Sequence, residues 1–139
     1  MTIIQMTELE LPLPFSGVDP RGRVKFGVLL EMFQQMADVD AAKYGLSISQ
    51  IIDHGFSWVL RSYRVDIPEQ NYPTKDNRAI RVKSYAEIYR RLFSMRTFEM
   101  STAEGEYLGR AWTWWVLVDF EKMRPLRLDR SDLYEPFQQ

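Results

Sequence analysis

A change of hydrophobic period near the start of the chain constrains its fold more than any other feature. Between residues 23 and 44 the large apolar side chains recur every three or four positions, which is the spacing of one helix face. The stripe consists of Leu29, Phe33, Met36, Ala37, Asp40 and Tyr44, with Phe26, Leu30 and Ala41 beside it. Gly45 then supplies a helix stop. We predict one helix about 30 Å long, buried over most of its circumference.

Most of the remaining chain has the two-residue period of strands. Polar and apolar side chains alternate over residues 2–15, 56–67, 78–89, 92–102 and 107–120. Pro12 and Pro14 place the far end of the first strand at a sheet edge. Between the long helix and the second strand, residues 47–55 predict a short helical turn that Ser47 caps.

One helix near the start, followed by antiparallel strands, is typical of the α+β class. We expect the last four strands to follow one another as a meander, and the curved antiparallel sheet to wrap around the helix. Neither a repeat nor a linker divides the 139 residues. The sequence therefore predicts a single domain over residues 1–139.

Composition excludes several kinds of site. The chain has no Cys and one His, which excludes disulfides, thiolate catalysis and multi-histidine metal sites. No metal or cofactor is expected, since a phosphate-binding glycine loop is also missing. The 18 Lys and Arg nearly balance the 19 Asp and Glu, which weighs against nucleic-acid or membrane partners held by net charge. Without a signal-peptide or membrane-span pattern, we expect a cytoplasmic protein.

Three segments together carry a resemblance to a known family. They are the helix over residues 29–47 with Phe33-Gln34, residues 58–73 with Trp58-Val59-Leu60 and Tyr63-Arg64-Val65-Asp66-Ile67, and residues 90–127, from Arg90-Arg91-Leu92-Phe93 to Arg124-Pro125-Leu126-Arg127. In this order they resemble the first repeat of the acyl-acyl-carrier-protein thioesterases, which implies a single hotdog domain. That family joins two repeats and carries its catalytic motif in the second. One repeat alone implies a homodimer or homotetramer.

The turn before the helix carries a second resemblance. Residues 18–26 (VDPRGRVKF) are similar to the Asp-Pro-x-Gly-x-Val turn of the 4-hydroxybenzoyl-CoA thioesterases. The resemblance implies that Asp19 is the catalytic carboxylate and that the Phe26 N–H polarises the thioester carbonyl, whereas Val28 stands where that family commonly has Asn. An Asp-Pro turn before a helix is also common without any catalytic role.

The chemistry of such a turn is direct. A carboxylate beside a helix N-terminus can deprotonate water, or attack the thioester and form a mixed anhydride. The first-turn amides of Phe26 and Gly27 would then stabilise the oxyanion. Asp40, on the apolar stripe, either pairs with an arginine of the sheet or acts as a second catalytic carboxylate. His54 precedes a strand, where a loop or capping role is the commoner one.

Substrate contacts are expected along the helix and on the most aromatic strand. An acyl tunnel between helix and sheet needs apolar walls, for which we select Phe33, Gln34, Trp58, Trp112 and Trp114. Alternation puts Trp112 and Trp114 on one face of the strand and Trp115 on the other. Among the strand arginines, most of which belong to the solvated face, Arg91 is our candidate for holding a phosphopantetheine phosphate or an acidic carrier protein.

The sequence therefore predicts a thioesterase that hydrolyses an acyl thioester of acyl carrier protein or CoA. Two alternatives remain open. One is a non-catalytic module that binds acyl thioesters. The other is a hotdog dehydratase or hydratase, which would need His54 opposite a carboxylate.

Overall fold

The computed structural model describes residues 6–13, 17–43, 45–89 and 92–128. Its strands are β1 (Thr7–Pro12), β2 (Phe56–Asp66), β3 (Ala79–Tyr89), β4 (Phe93–Thr102), β5 (Tyr107–Asp119) and β6 (Arg124–Pro125). Its helices are α1 (Phe26–Ala42) and the single turn α2 (Ile48–Ile51), with short 3₁₀ turns at Ile52–His54 and Glu69–Asn71. Within these ranges no helix is long and apolar enough to cross a bilayer.

The strands form one antiparallel sheet in the order β1-β3-β4-β5-β2, and β6 pairs with β5. This confirms the α+β class. β3, β4 and β5 form the predicted meander, but the prediction that β2 belongs to it is wrong. β1 takes the place beside β3, where Leu9 lies opposite Val82 and packs on the core. β2 pairs with β5 instead.

The ends of α1 differ from the predicted residues 23 and 44. Arg23 and Val24 are extended, because Val24 N–H donates to Pro73 O at 3.0 Å and Arg23 pairs with Thr74. The helix is therefore about 25 Å long. At its other end Gly45 has a φ of 75°, as expected of a helix stop, whereas Tyr44 lies outside the described residues.

The structure confirms two further local predictions, at Ser47 and Pro12. Ser47 forms a capping box with Gln50 at the start of α2, as predicted. Pro12 lies on β1, which is an edge strand of the sheet. Pro14 and residues 2–5 lie outside the described ranges.

α1 packs on one face of the sheet through two apolar clusters. The larger includes Leu29, Met32, Phe33 and Met36 of α1 with Ile80, Val82, Phe98, Met100 and Ala111 of the sheet. Its centre is the stacked pair of Phe33 and Phe98, whose ring centroids are 4.7 Å apart. The smaller joins Ala41, Leu46, Ile51, Leu117 and Leu128 near the end of α1. Because Ala111 and Leu117 face the helix, strand alternation turns Trp112 and Trp114 to the opposite face.

Candidate active site

A tight turn before α1 holds Asp19. Val18 pairs with Val24 across the turn, and Gly22 occupies its left-handed position with a φ of 81°. The Asp19 Oδ1 atom accepts backbone hydrogen bonds from Arg21 N at 2.9 Å and Arg23 N at 3.0 Å. One carboxylate oxygen is therefore fixed by the backbone, and Oδ2 has no hydrogen-bond partner among the described residues.

The same contacts determine the charge of Asp19. The backbone hydrogen bond from Arg23 lowers the pKa of the carboxyl below its ordinary value of 3.8, and desolvation opposes it in part. The amide of Arg21 and the positive charges of Arg21 and Arg23 lower this pKa further. Asp19 is therefore a carboxylate at neutral pH, able to accept a proton from water or to attack an electrophilic carbon.

The N-terminus of α1 is uncapped and lies next to this turn. Lys25, the residue before the helix, makes no side-chain capping bond, and the first helical turn contains no acid. Lys25 N–H donates to Gly17 O at 2.7 Å, which holds the turn against the helix start. The amides of Phe26 and Gly27 have no acceptor among the described residues. Two backbone donors at the positive end of a helix are therefore free to bind a developing oxyanion.

Aromatic side chains surround the start of the helix. Tyr72 Oη donates to Val24 O at 2.7 Å, and the Arg23 guanidinium lies 4.3 Å from the centroid of the Tyr72 ring. Burial raises the pKa of Tyr72, so its hydroxyl keeps the proton that it donates. The rings of Phe26 and Tyr63 are 5.9 Å apart. These contacts fix the extended segment that leads into α1.

An apolar cavity lies further along the helix, between α1 and the sheet. It has about 680 Å³ of free space including its open mouth. Its walls are Gln34, Ala37, Asp38, Ala41, Ile48, Trp58, Ser94, Arg96 and Trp115. The residues of α1 among them begin about 12 Å beyond Phe26 along the helix axis. The Asp19 turn, which precedes α1, and the cavity are therefore separate sites along the helix axis.

Two of the predicted substrate residues that the structure describes line this cavity, and the others do not. Gln34 and Trp58 line it, whereas Phe33 is only 1% exposed and packs within the core. Trp112 and Trp114 lie on the face of the sheet turned away from the helix, so neither contributes to the cavity. Trp115, which was not among the predicted substrate residues, lines it instead. Arg91 lies outside the described residues.

Asp40 is part of a buried polar network rather than of the Asp19 turn. Its Oδ2 accepts from Arg96 at 2.8 Å, and its Oδ1 accepts from the Thr7 hydroxyl. Lys43 approaches the same Oδ1 to 3.5 Å. Asp40 lies about 20 Å along α1 from the helix start. Both of its oxygens accept hydrogen bonds, and Asp40 forms the ion pair with a sheet arginine that was one of the two predicted alternatives. The structure does not place Asp40 near Asp19.

His54 ends the short 3₁₀ turn before β2 and is exposed. That turn follows α2, whose first N–H, from Ile48, donates to Asp38 near the end of α1. His54 is thus placed beyond the opposite end of α1 from Asp19. Within the described ranges, no three His, Asp or Glu side chains are grouped so that they could hold a metal ion.

Comparison with known proteins identifies the family. The model of the acyl-ACP thioesterase N-terminal domain matches residues 5–137, so the chain belongs to this family, as its sequence resemblance predicted. A search of curated proteins by sequence gives no significant match.

Solved structures of thioesterases share the fold. A DHNA-CoA thioesterase from Staphylococcus aureus has a TM-score of 0.81 at 21% identity, over 95% of this chain and 88% of that one. An acyl-ACP thioesterase from Bacteroides thetaiotaomicron has a TM-score of 0.74 at 23% identity, over 86% of this chain and 48% of that one. For the 12:0-ACP thioesterase from Umbellularia californica the TM-score is 0.74 at 17% identity, over 88% and 48%. These structures confirm the hotdog fold, and the chain spans about half the length of the acyl-ACP thioesterases.

Proposed function

We propose that this protein hydrolyses an acyl thioester of acyl carrier protein or CoA, with Asp19 as the catalytic carboxylate. The observation that carries the proposal is the arrangement around the start of α1. An ionised carboxylate, held by two backbone amides, lies in the turn that leads to two helix N–H groups without an acceptor among the described residues. Family membership supports the reaction class.

The reaction follows from these groups. The Phe26 and Gly27 amides bind the thioester oxygen and become stronger partners as negative charge develops on it. Asp19 then acts in one of two ways. As a general base it takes a proton from water while the water oxygen attacks the acyl carbon. As a nucleophile it attacks that carbon itself, the thiolate leaves, and water cleaves the resulting mixed anhydride.

The acyl chain would lie along α1 in the apolar cavity. Trp58, Trp115 and Ile48 provide apolar walls there, and Ala37 and Ala41 keep the helix side open. The carrier would remain outside, where Arg21, Arg23 and Lys25 give the turn a positive charge. Both acyl carrier protein and CoA are anionic, so this charge favours either one.

We also propose that the active form is a homodimer built on β2. This strand of 11 residues ends the sheet order, so along its outer edge the described part of the chain offers it no pairing partner. Val59 and Tyr63 on it are 44% and 49% exposed. A long unprotected edge favours pairing with a second copy, which would replace the second repeat of the two-repeat relatives.

A non-catalytic acyl-binding module remains the second candidate. It is favoured because the family model that matches is that of an N-terminal domain, and because the match covers 48% of the Bacteroides thioesterase chain. A module of this kind would use the cavity without the chemistry at Asp19.

A single-turnover reaction in H₂¹⁸O tests the proposal. Acyl-CoA or acyl carrier protein is mixed with excess protein, and both the acid and the Asp19-containing peptide are analysed by mass spectrometry. Label in Asp19 shows that the carboxylate is the nucleophile and that water opens the anhydride at the Asp19 carbon. Label confined to the acid shows that water attacks an acyl carbon, that of the thioester or that of the anhydride, and hydroxylamine trapping of the acyl group on Asp19 distinguishes the two. If no acid forms with any chain tested, the binding module is the better account.

A further inference from the structure

The wall of the cavity includes two buried polar side chains on β4. Ser94 and Arg96 are two positions apart, so they project from the same face of the strand, toward α1. Their exposed fractions are 6% and 4%, and both line the cavity. Side chains so buried normally have all their polar atoms paired.

Their hydrogen bonds are incomplete. Arg96 donates through Nη1 alone, to Asp40 Oδ2 at 2.8 Å and to Ser84 Oγ at 3.0 Å. Arg96 Nε and Nη2 and the Ser94 hydroxyl have no partner among the described residues. No unpartnered side-chain nitrogen or oxygen in that part of the chain is fully enclosed. These atoms therefore keep some exposed surface, and both side chains line the cavity.

The other large walls contribute carbon surface rather than donors. Trp58 Nε1 donates to Leu46 O at 2.9 Å, and Trp115 Nε1 donates to Thr113 Oγ1 at 2.8 Å. Both indole N–H groups are thus occupied. Arg96 and Ser94 therefore place buried donors on the sheet side of the cavity, opposite Gln34 and Asp38 of α1. An acceptor there would repay the cost of leaving those donors unpaired.

Charge restricts what that acceptor is. Asp40 already balances the positive charge of Arg96, with both side chains about 95% buried. A second acid, Asp38, lines the same cavity. A carboxylate entering here would meet little net positive charge and would lose its hydration. A neutral oxygen loses less hydration and can still accept hydrogen bonds from the unpartnered N–H groups.

We propose that the cavity selects acyl groups that carry a neutral oxygen on the chain, a hydroxyl or a carbonyl, which accepts hydrogen bonds from Arg96 and Ser94. This inference rests on the acyl-thioester function proposed above and names its substrate class. Plain saturated chains of equal length leave the donors unpaired and bind less well.

Binding of free ligands tests the preference without requiring hydrolysis. Fatty acids of one length, unsubstituted or with a hydroxyl or an oxo group at each position in turn, are titrated into the protein by calorimetry. We expect at least one oxygenated position to lower Kd about tenfold, the effect of roughly one good hydrogen bond. Hydroxyl and oxo series separate the two sources of the oxygen.

Variants assign the preference to its residues. Ser94→Ala removes one hydroxyl and is expected to reduce the preference severalfold. Arg96→Lys keeps a positive charge opposite Asp40 but lacks the planar fork of donors, and is expected to reduce it further. Ser101→Ala is the matched control, because Ser101 is on the same strand but pairs with Arg81 on the other face of the sheet, and it should leave the preference unchanged.

Several outcomes would overturn the inference. They are a failure of all the chains to bind, equal Kd values at every oxygen position, or a preference that both cavity variants retain. The corresponding CoA thioesters separate this inference from the function itself. Preferential binding without hydrolysis contradicts the thioesterase proposal alone, whereas hydrolysis without preference contradicts the selectivity alone.

Discussion

Arg96 of β4 donates a 2.8 Å hydrogen bond to Asp40 of α1, across the interface between sheet and helix. Thr7 of β1 donates to the other carboxylate oxygen, so one carboxylate connects α1 with two strands. Lys43 donates to the Thr7 hydroxyl at 3.0 Å and closes the network at the surface. These polar contacts fix the position of the helix above the floor of the cavity, where apolar packing alone would tolerate sliding.

Removing the acid from this network should be costly. Asp40→Ala leaves the Arg96 guanidinium buried without its counter-charge, for which a loss of about 3–5 kcal/mol in the free energy of unfolding is expected. Urea denaturation followed by fluorescence measures it. Glu31→Ala, an exposed site on the same helix, is the control and should change stability little. A loss below about 1 kcal/mol in Asp40→Ala would show that the pair is not buried as described.

Phe26→Pro should remove one oxyanion donor while leaving the helix intact. Proline is tolerated at the first helical position, and Lys25 before it is already extended, as a residue preceding proline must be. Phe26→Ala is the matched control, because it also loses the contact with Tyr63 but keeps its N–H. Relative to that control, we expect kcat to fall about 100- to 1,000-fold. Equal rates in the two variants would exclude this amide from catalysis.

Activity should fall on acidification only at low pH. Because the folded pKa of Asp19 is below 3.8, the carboxylate is ionised at all higher pH values and is protonated only as pH falls through that lower value. In a profile of kcat/KM against pH, the acid limb from Asp19 is therefore expected to have its midpoint below pH 3.8. Circular dichroism at each pH separates loss of activity from unfolding. A limb near neutrality would point to another group as the base.

The same carboxylate contributes to stability in a defined pH window. A group whose pKa is lowered by folding stabilises the folded state above its unfolded pKa, and this contribution disappears as pH falls through the folded pKa. The stabilising contribution of ionised Asp19 is therefore expected to fall as the pH decreases below 3.8, and the turn is weakened.

Light scattering should find a dimer of the 16.5 kDa chain. Val59→Lys places a charge on the free β2 strand and should shift the protein toward monomer. Val39→Lys on α1 is the control, since Val39 and Val59 are 48% and 44% exposed. A wild-type monomer at all concentrations, or equal effects of the two substitutions, would contradict pairing through β2.

Local signals predicted most of the fold. The stripe through Leu29, Phe33 and Met36 identified α1 because helix period and burial agree there. The place of β2 was not predictable in the same way. Strand order depends on which edges close over the helix, and β1 competes with β2 for the edge of β3. Alternation within each strand contains no information about that competition.

The proposed site at Asp19 comes from a sequence turn, whereas the residues that line the cavity were only partly predicted. Asp19 was identifiable because the turn motif is contiguous in sequence. Trp115 and Arg96 come from separate strands, and the register that brings them together depends on pairing between segments that are distant in the sequence. One signal was present: Arg96 alternates with Phe98 and Met100 on the buried face of β4, as Asp40 does on the stripe of α1. Two lone charges on facing buried surfaces predict a pair.

Thiol release by wild type and Asp19→Asn, over a panel of acyl carrier protein and acyl-CoA thioesters, tests whether Asp19 is the catalytic carboxylate. Asn keeps an oxygen to accept the amides of Arg21 and Arg23, so the fold should be unchanged by circular dichroism. We expect turnover by wild type and a loss of about 100- to 10,000-fold in the variant. Full turnover by Asp19→Asn, or none by wild type on any thioester, would contradict it.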